Sequence, residues 1–128
     1  MNGYEKYKEQ GVMTASPGDL ILMLYDGCIK NLKLAKIALE DKNFEDSNSL
    51  IQLAEDIIEE LIMSLDLRIE LSEQLLELYT FMNRELIEAN VKKDIKKIDS
   101  VIELMSDLRD TWEKAIQLNR TKMYAIGE

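Results

Sequence analysis

The chain has 128 residues, of which 46% are hydrophobic and 32% charged, and its formal net charge is -9 at pH 7. This length and balance fit one globular domain with its own core rather than a disordered segment. With 16 basic and 25 acidic residues, the chain repels phosphates, so nucleic acid is not an expected partner. The absence of histidine excludes Ser-His-Asp and Cys-His triads and histidine-containing zinc sites.

Glycine, proline and cysteine are scarce in this sequence. There are five glycines and one proline, and neither type occurs between Cys28 and Ile126. Because the turns of sandwiches and barrels need such residues, the composition predicts an all-α domain. The single cysteine cannot form an internal disulfide, which fits a reducing compartment. No run of 18 apolar residues exists and the first residues lack an apolar stretch, so we expect neither membrane insertion nor a secretory signal.

The first 15 residues carry apolar side chains without a helical period. They include Tyr4, Tyr7 and Val12. Because apolar side chains of this size favour burial, we expect the segment to lie on the folded domain at least part of the time. We therefore predict a mobile N-terminal tail or lid, residues 1–15, followed by a helical domain, residues 16–128.

The first predicted helix has a clear start. Ser16 is a good N-cap, Pro17 suits the first helical position, and Asp19 stands where a capping box places its acidic partner. Apolar residues then recur at steps of three and four and define one wide face. They are Ile21, Leu24, Tyr25, Cys28, Leu32, Ala35 and Leu39. The helix should end near residues 41–43.

The second predicted helix begins after Asn43, which can cap it. Its apolar stripe consists of Leu50, Ile51, Ala54, Ile57, Ile58, Leu61, Ile62 and Leu65. The helical period then breaks around residues 66–72. No glycine or proline marks the limits of this break, so either the loop is shorter than the break or helix three starts earlier than its first clear apolar residue.

The third predicted helix carries Leu75, Leu78, Tyr79, Met82, Leu86 and Ala89 and ends near residues 90–93. Asp94 can cap the fourth. That helix has apolar residues from Ile95 to Ile116 and should run to about Met123. Because the connections are short, successive helices should be antiparallel neighbours. The sequence therefore predicts an elongated antiparallel up-down four-helix bundle with an N-terminal apolar tail.

Two of these helices are more apolar than a bundle requires. Apolar side chains run almost all the way round residues 20–25, and Leu61, Ile62, Met63 and Leu65 do much the same in helix two. A helix that faces a core needs only about three apolar positions in seven. The surplus must be exposed, covered by the tail, or reserved for a partner, and an apolar groove suits an amphipathic helix.

No constellation in the sequence points to catalysis, a cofactor or a metal. The carboxylates are spread over polar faces and no pair stands out as acid and base. Residues 41–52 faintly resemble a calcium loop, but Asp46 and Gln52 stand where an EF-hand needs glycine and glutamate. Cys28, on an apolar stripe with no base at hand, is interpreted as a small buried hydrophobe.

Three segments resemble the FliS family of flagellar secretion chaperones, in that family's order and spacing. They are MTASP at 13–17 with Leu20 and MLYDG at 23–27, LYTFMNRELIEAN at 78–90, and LRDTW at 108–112. The resemblance implies a non-enzymatic cytosolic chaperone that binds the C-terminal segment of unpolymerised flagellin. It also implies that the chaperone prevents premature filament assembly and delivers flagellin to the flagellar type III export apparatus, with other flagellar regulators as further possible partners.

The surplus apolar surface and this resemblance together suggest ten client-binding residues. They are Ile21, Leu24, Tyr25, Ile58, Leu61, Ile62, Leu65, Tyr79, Met82 and Trp112. Tyr25, Tyr79 and Trp112 are the preferred anchors because aromatic residues dominate interface hot spots. For each residue, packing within the core is an equal alternative. The tail residues Tyr4, Tyr7 and Val12 would form the lid. The alternative function is a structural bundle whose extra apolar face makes a homodimer, so the chain would be a monomer or weak homodimer.

Overall fold

A computed structural model describes the backbone of residues 17–127 and the side chains of residues 18–119. That part of the chain forms four helices: α1 (Pro17–Glu40), α2 (Phe44–Met63), α3 (Glu70–Lys92) and α4 (Ile95–Gly127). This confirms the predicted all-α class. The predicted lid, with Tyr4, Tyr7 and Val12, lies outside the described residues. None of the described helices is both long and apolar enough to cross a membrane.

The helix starts follow the capping residues that the sequence indicates. Helix α1 begins at Pro17. The side chain of Asn43 accepts a hydrogen bond from the backbone N–H of Asp46 at 3.2 Å and donates to its carboxylate at 2.7 Å. Asp94 likewise accepts from the backbone N–H of Lys96 at 3.0 Å. These side chains satisfy N–H groups that a helix start leaves without partners, which fixes where α2 and α4 begin.

The turn between α2 and α3 lies slightly earlier than the predicted break at residues 66–72. Helix α2 ends at Met63 and α3 begins at Glu70. The Asp66 carboxylate accepts hydrogen bonds from the backbone N–H of Arg68 at 3.1 Å and from its guanidinium at 2.9 Å. An aspartate that bonds the backbone two residues on can make a turn without glycine or proline. Helix three does therefore start before Leu75.

The four helices surround one core in the order α1, α2, α3, α4, with α4 packed back against α1. Ion pairs show that α1 and α4 are antiparallel: Lys36 meets Asp99 at 2.7 Å, and Asp26 meets Arg109 at 2.8 Å. On the other side of the bundle, Asn48 and Asn90 join α2 to α3. The predicted up-down arrangement is confirmed.

The register between α1 and α4 leaves one end of α4 without a neighbour on α1. The two ion pairs are ten residues apart on both helices. Continuing that register, Pro17 lies level with residue 118. Residues 119–127 thus run past the start of α1 for about 13 Å, and α4 extends beyond the predicted end at Met123. Pro17, the first residue with a described backbone, lies at this same end.

The core runs the length of the bundle and is closely packed between α1 and α2. Gly27 and Cys28 are buried there, and the Cys28 thiol donates to the carbonyl oxygen of Ala54 at 3.8 Å. Small side chains at a helix crossing let the two backbones come close. The large side chains that are fully buried in the core are Leu24, Tyr25, Leu32, Ile51, Ile58, Leu61, Tyr79, Met82, Leu86, Ile98, Val101 and Met105.

Candidate functional site: an apolar groove at one end of the bundle

A groove of about 660 Å³ opens at the end of the bundle where α1 begins. It lies between the first turns of α1 and α3, the last turn of α2 with the turn that follows, and Trp112 of α4. We call it the end groove. Its lining residues are Leu20, Ile21, Leu24, Glu60, Met63, Ser64, Leu65, Asp66, Ile69, Leu71, Ser72, Leu75, Tyr79 and Trp112. Its volume and predominantly apolar lining fit a peptide side-chain pocket rather than a solvated cleft.

The rim of the end groove is formed by large apolar side chains that are open to solvent. Met63 is 76% exposed, Ile69 56% and Leu71 58%. They lie where α2 ends and α3 begins, outside the inward-facing stripes of the two helices, so they are not buried in the core. Scattered apolar residues are ordinary on a protein surface, but a cluster around a concave site is typical of an interaction surface.

Aromatic residues form the floor of the end groove. Tyr79 lines it while being only 2% exposed, and Trp112 lines it while half-buried. Beneath them, the hydroxyl oxygens of Tyr25 and Tyr79 lie 2.5 Å apart. Burial, followed by the effect of Tyr79, raises the pKa of Tyr25, so its hydroxyl stays neutral at physiological pH.

The charges at the end groove are acidic or already paired. Glu60 and Asp66 line it, and the hydrogen bonds from Arg68 lower the pKa of Asp66. Nearby on α4, Arg109 pairs with Asp26 at 2.8 Å and also with Glu113. These pairs raise the pKa of Arg109 above its ordinary value. A segment bound in this groove would meet an apolar surface with two carboxylates at its border, one of which is paired with Arg68.

The structure divides the ten predicted client-binding residues into two groups. Five line the end groove: Ile21, Leu24, Leu65, Tyr79 and Trp112. The other five lie outside its lining. Tyr25, Ile58, Leu61 and Met82 are fully buried in the core, and Ile62 is partly buried against it. For the four fully buried residues, the burial favours the core-packing alternative in this conformation.

Several groove residues were not among the predicted contacts. Leu20, Met63, Ile69, Leu71 and Leu75 all line the end groove. The excess of apolar residues around Leu20 and Met63 did signal surplus surface in the sequence. Ile69 and Leu71 lie in the segment where the helical period breaks, so periodicity gave no face on which to place them.

Among the described residues, the side chains that could bind a metal are the carboxylates and the single cysteine, Cys28. No group of three or more cysteine, aspartate or glutamate side chains among them could hold a metal ion. Cys28 is fully buried, and burial raises the pKa of its thiol to about 12. Since the thiolate is the reactive form, this side chain serves packing.

Comparison with known protein families gives one match that spans nearly the whole chain. Residues 1–119 match the family model described as flagellar protein FliS. A solved structure described as a flagellar chaperone from bacteria has the same fold, with a TM-score of 0.75 and 25% identity. The alignment covers 89% of this chain and 94% of the solved one.

Individual relatives agree with the family match. The flagellar secretion chaperone FliS of Bacillus subtilis (strain 168) is 40% identical over 126 residues, which is 98% of this chain and 95% of that protein. The protein of the same name from Escherichia coli (strain K12) is 34% identical over 111 residues, which is 84% of this chain and 82% of that protein.

Proposed function

This chain belongs to the FliS family of flagellar secretion chaperones, and we propose that its client is the C-terminal segment of unpolymerised flagellin. Binding would keep that segment from assembling into filament prematurely and would hold it ready for the flagellar type III export apparatus. The protein then acts by stoichiometric binding rather than catalysis, in the cytosol. Other flagellar regulators are further candidate partners.

The observation that carries the proposal is the end groove with its exposed rim. Met63, Ile69 and Leu71 together leave a concave apolar surface open at the end of the bundle. A client segment that folds on binding must offset the entropy lost when it becomes ordered, so it needs extensive apolar contact. Aromatic residues on the groove floor, Tyr79 and Trp112, offer the kind of anchor that dominates such interfaces.

The N-terminal tail is the proposed occupant of the end groove when no client is present. The tail joins α1 at Pro17, and Leu20 and Ile21 already line the groove. Its apolar residues Tyr4 and Tyr7 are therefore within the reach of a short extended segment. Removing residues 1–12 should raise the binding of a hydrophobic dye without loss of helical circular dichroism. A loss of helix would contradict a lid role.

The client proposal is tested by titration calorimetry of the full chain with a flagellin C-terminal peptide. Leu71→Glu places a charge on the groove rim, whereas Ile87→Glu places the same charge farther along α3, outside the groove lining. The side chains of Leu71 and Ile87 are 58% and 55% exposed, respectively, so neither change disturbs the core. We expect Leu71→Glu to weaken peptide binding by about tenfold or more and Ile87→Glu to leave it nearly unchanged.

Two results would contradict the client proposal. One is the absence of heat on titrating the wild-type chain with the peptide, and the other is equal weakening by both variants. The rival function, a homodimerising bundle, draws on the apolar residues exposed outside the groove, such as Ile87 and Val91. Light scattering separates the two: a symmetric dimer that the peptide leaves unchanged favours the rival.

A further inference from the structure

A hydrogen bond between two buried tyrosines crosses the core beneath the end groove. The hydroxyl oxygens of Tyr25 and Tyr79 lie 2.5 Å apart, and the two side chains are 0% and 2% exposed. Tyr25 is on α1 and Tyr79 is on α3, which lie diagonally across the bundle. The bond therefore joins two helices that do not pack side by side.

The third member of this group is Trp112 on α4. Its side chain lies beside the Tyr25 hydroxyl. Tyr79 and Trp112 both line the end groove, whereas Tyr25 does not. Tyr25 thus bonds one aromatic side chain of the groove floor, Tyr79, and lies beside the other.

Packing alone does not account for a hydroxyl at position 25. Burying a hydroxyl costs free energy unless a hydrogen bond compensates it, and a phenylalanine ring would fill nearly the same space without that cost. The hydroxyl adds direction to this contact, because a hydrogen bond restricts both partners to a narrow range of orientations. Burial raises the pKa of Tyr25 and Tyr79, so both hydroxyls stay neutral donors and acceptors at physiological pH.

We propose that Tyr25 is a positioning residue for the end groove, whose hydroxyl holds Tyr79 in one orientation beside Trp112 and so fixes the aromatic floor for an apolar peptide segment. The inference rests on the proposed function, since it assigns the floor to client binding. A floor that is already ordered spares the complex the entropy of fixing two aromatic side chains on binding. Loss of the hydroxyl should therefore weaken binding even in fully folded protein.

The test compares Tyr25→Phe with the control Cys28→Ala in the full chain. Both positions are fully buried on α1 and neither lines the groove. Three quantities are measured: the emission spectrum of Trp112 without peptide, the unfolding midpoint, and the affinity for the flagellin C-terminal peptide. We expect Tyr25→Phe to shift the emission and to weaken binding by about fivefold or more. Cys28→Ala should lower the midpoint, leave the emission unchanged and keep the affinity within about twofold.

A double variant separates positioning from stability. Tyr25→Phe leaves the Tyr79 hydroxyl buried without this partner, whereas Tyr25→Phe/Tyr79→Phe removes both hydroxyls. The double variant should therefore recover part of the lost unfolding midpoint while its peptide binding stays weak.

Two results would overturn the positioning role. In one, Tyr25→Phe shows wild-type affinity and unchanged Trp112 emission. In the other, peptide binding recovers together with the midpoint in the double variant. A wild-type chain that binds no peptide contradicts the proposed function instead. In that case, the Trp112 emission of the free variants still decides whether Tyr25 positions the floor.

Discussion

Cys28 is a position at which the sequence prediction and the structure agree. The absence of a nearby base predicts a small buried hydrophobe, and its side chain is fully buried between α1 and α2. Burial raises the pKa of the thiol from 9.0 to about 12. The physical consequence is that the folded chain disfavours the thiolate, which ties stability to pH in the alkaline range.

The sign of this pH dependence follows from which state holds the proton. Between pH 9 and 12, the folded chain keeps the Cys28 proton while the unfolded chain loses it. Stability from this group is therefore complete below about pH 9 and falls as the pH rises toward 12. Urea unfolding midpoints from pH 7 to 11 should fall less for Cys28→Ala than for wild type. Parallel curves would show that the thiol is not responsible.

At the scale of the helix, the sequence predicts where the helices start better than where they end. The starts of α1, α2 and α4 could be predicted, because Pro17, Asn43 and Asp94 are residues with a known preference there. The ends could not be placed as well. Lys42 and Lys93 adopt positive φ angles of 59° and 56° after α1 and α3, a role that glycine usually fills. No glycine marks these sites, so the pattern gave only approximate limits.

The left-handed conformation of Lys42 leads to a prediction about α1. The left-handed conformation destabilises a residue with a Cβ atom by about 1–2 kcal/mol. Glycine avoids this cost, but it loses more conformational freedom on folding, which offsets about half of the stability gained by the substitution. Lys42→Gly should therefore stabilise the chain by up to about 1 kcal/mol. The control Lys33→Gly, at an exposed position inside α1, should destabilise it by about 1 kcal/mol. Chemical denaturation measures both, and a destabilised Lys42→Gly would contradict the argument.

For the whole molecule, the fold was more predictable than the site. Helical periodicity identified the four helices and the surplus of apolar residues. It could not separate the core from the groove, because a stripe such as Leu61 to Leu65 continues from the closed interior to the open end without a change in spacing. Leu71 could not be predicted because it lies in the first turn of α3, where the sequence shows no clear period and only the packing of the helices creates a concave surface.

The surface charge of the whole molecule is consistent with an exposed apolar groove. A net charge of -9 opposes self-association of molecules that carry such a surface. The acidic residues Glu60 and Asp66 border the groove itself. Repulsion between copies would disfavour the homodimer alternative while leaving the groove open to a different chain.

The emission of Trp112 during titration with the flagellin C-terminal peptide tests the central claim most directly. The chain contains one tryptophan, and it lines the end groove while half-buried. If the client fills this groove, a peptide without tryptophan should shift the emission to shorter wavelength, and the shift should saturate at one peptide per chain. Peptide binding that leaves the Trp112 emission unchanged would place the client elsewhere and contradict the account.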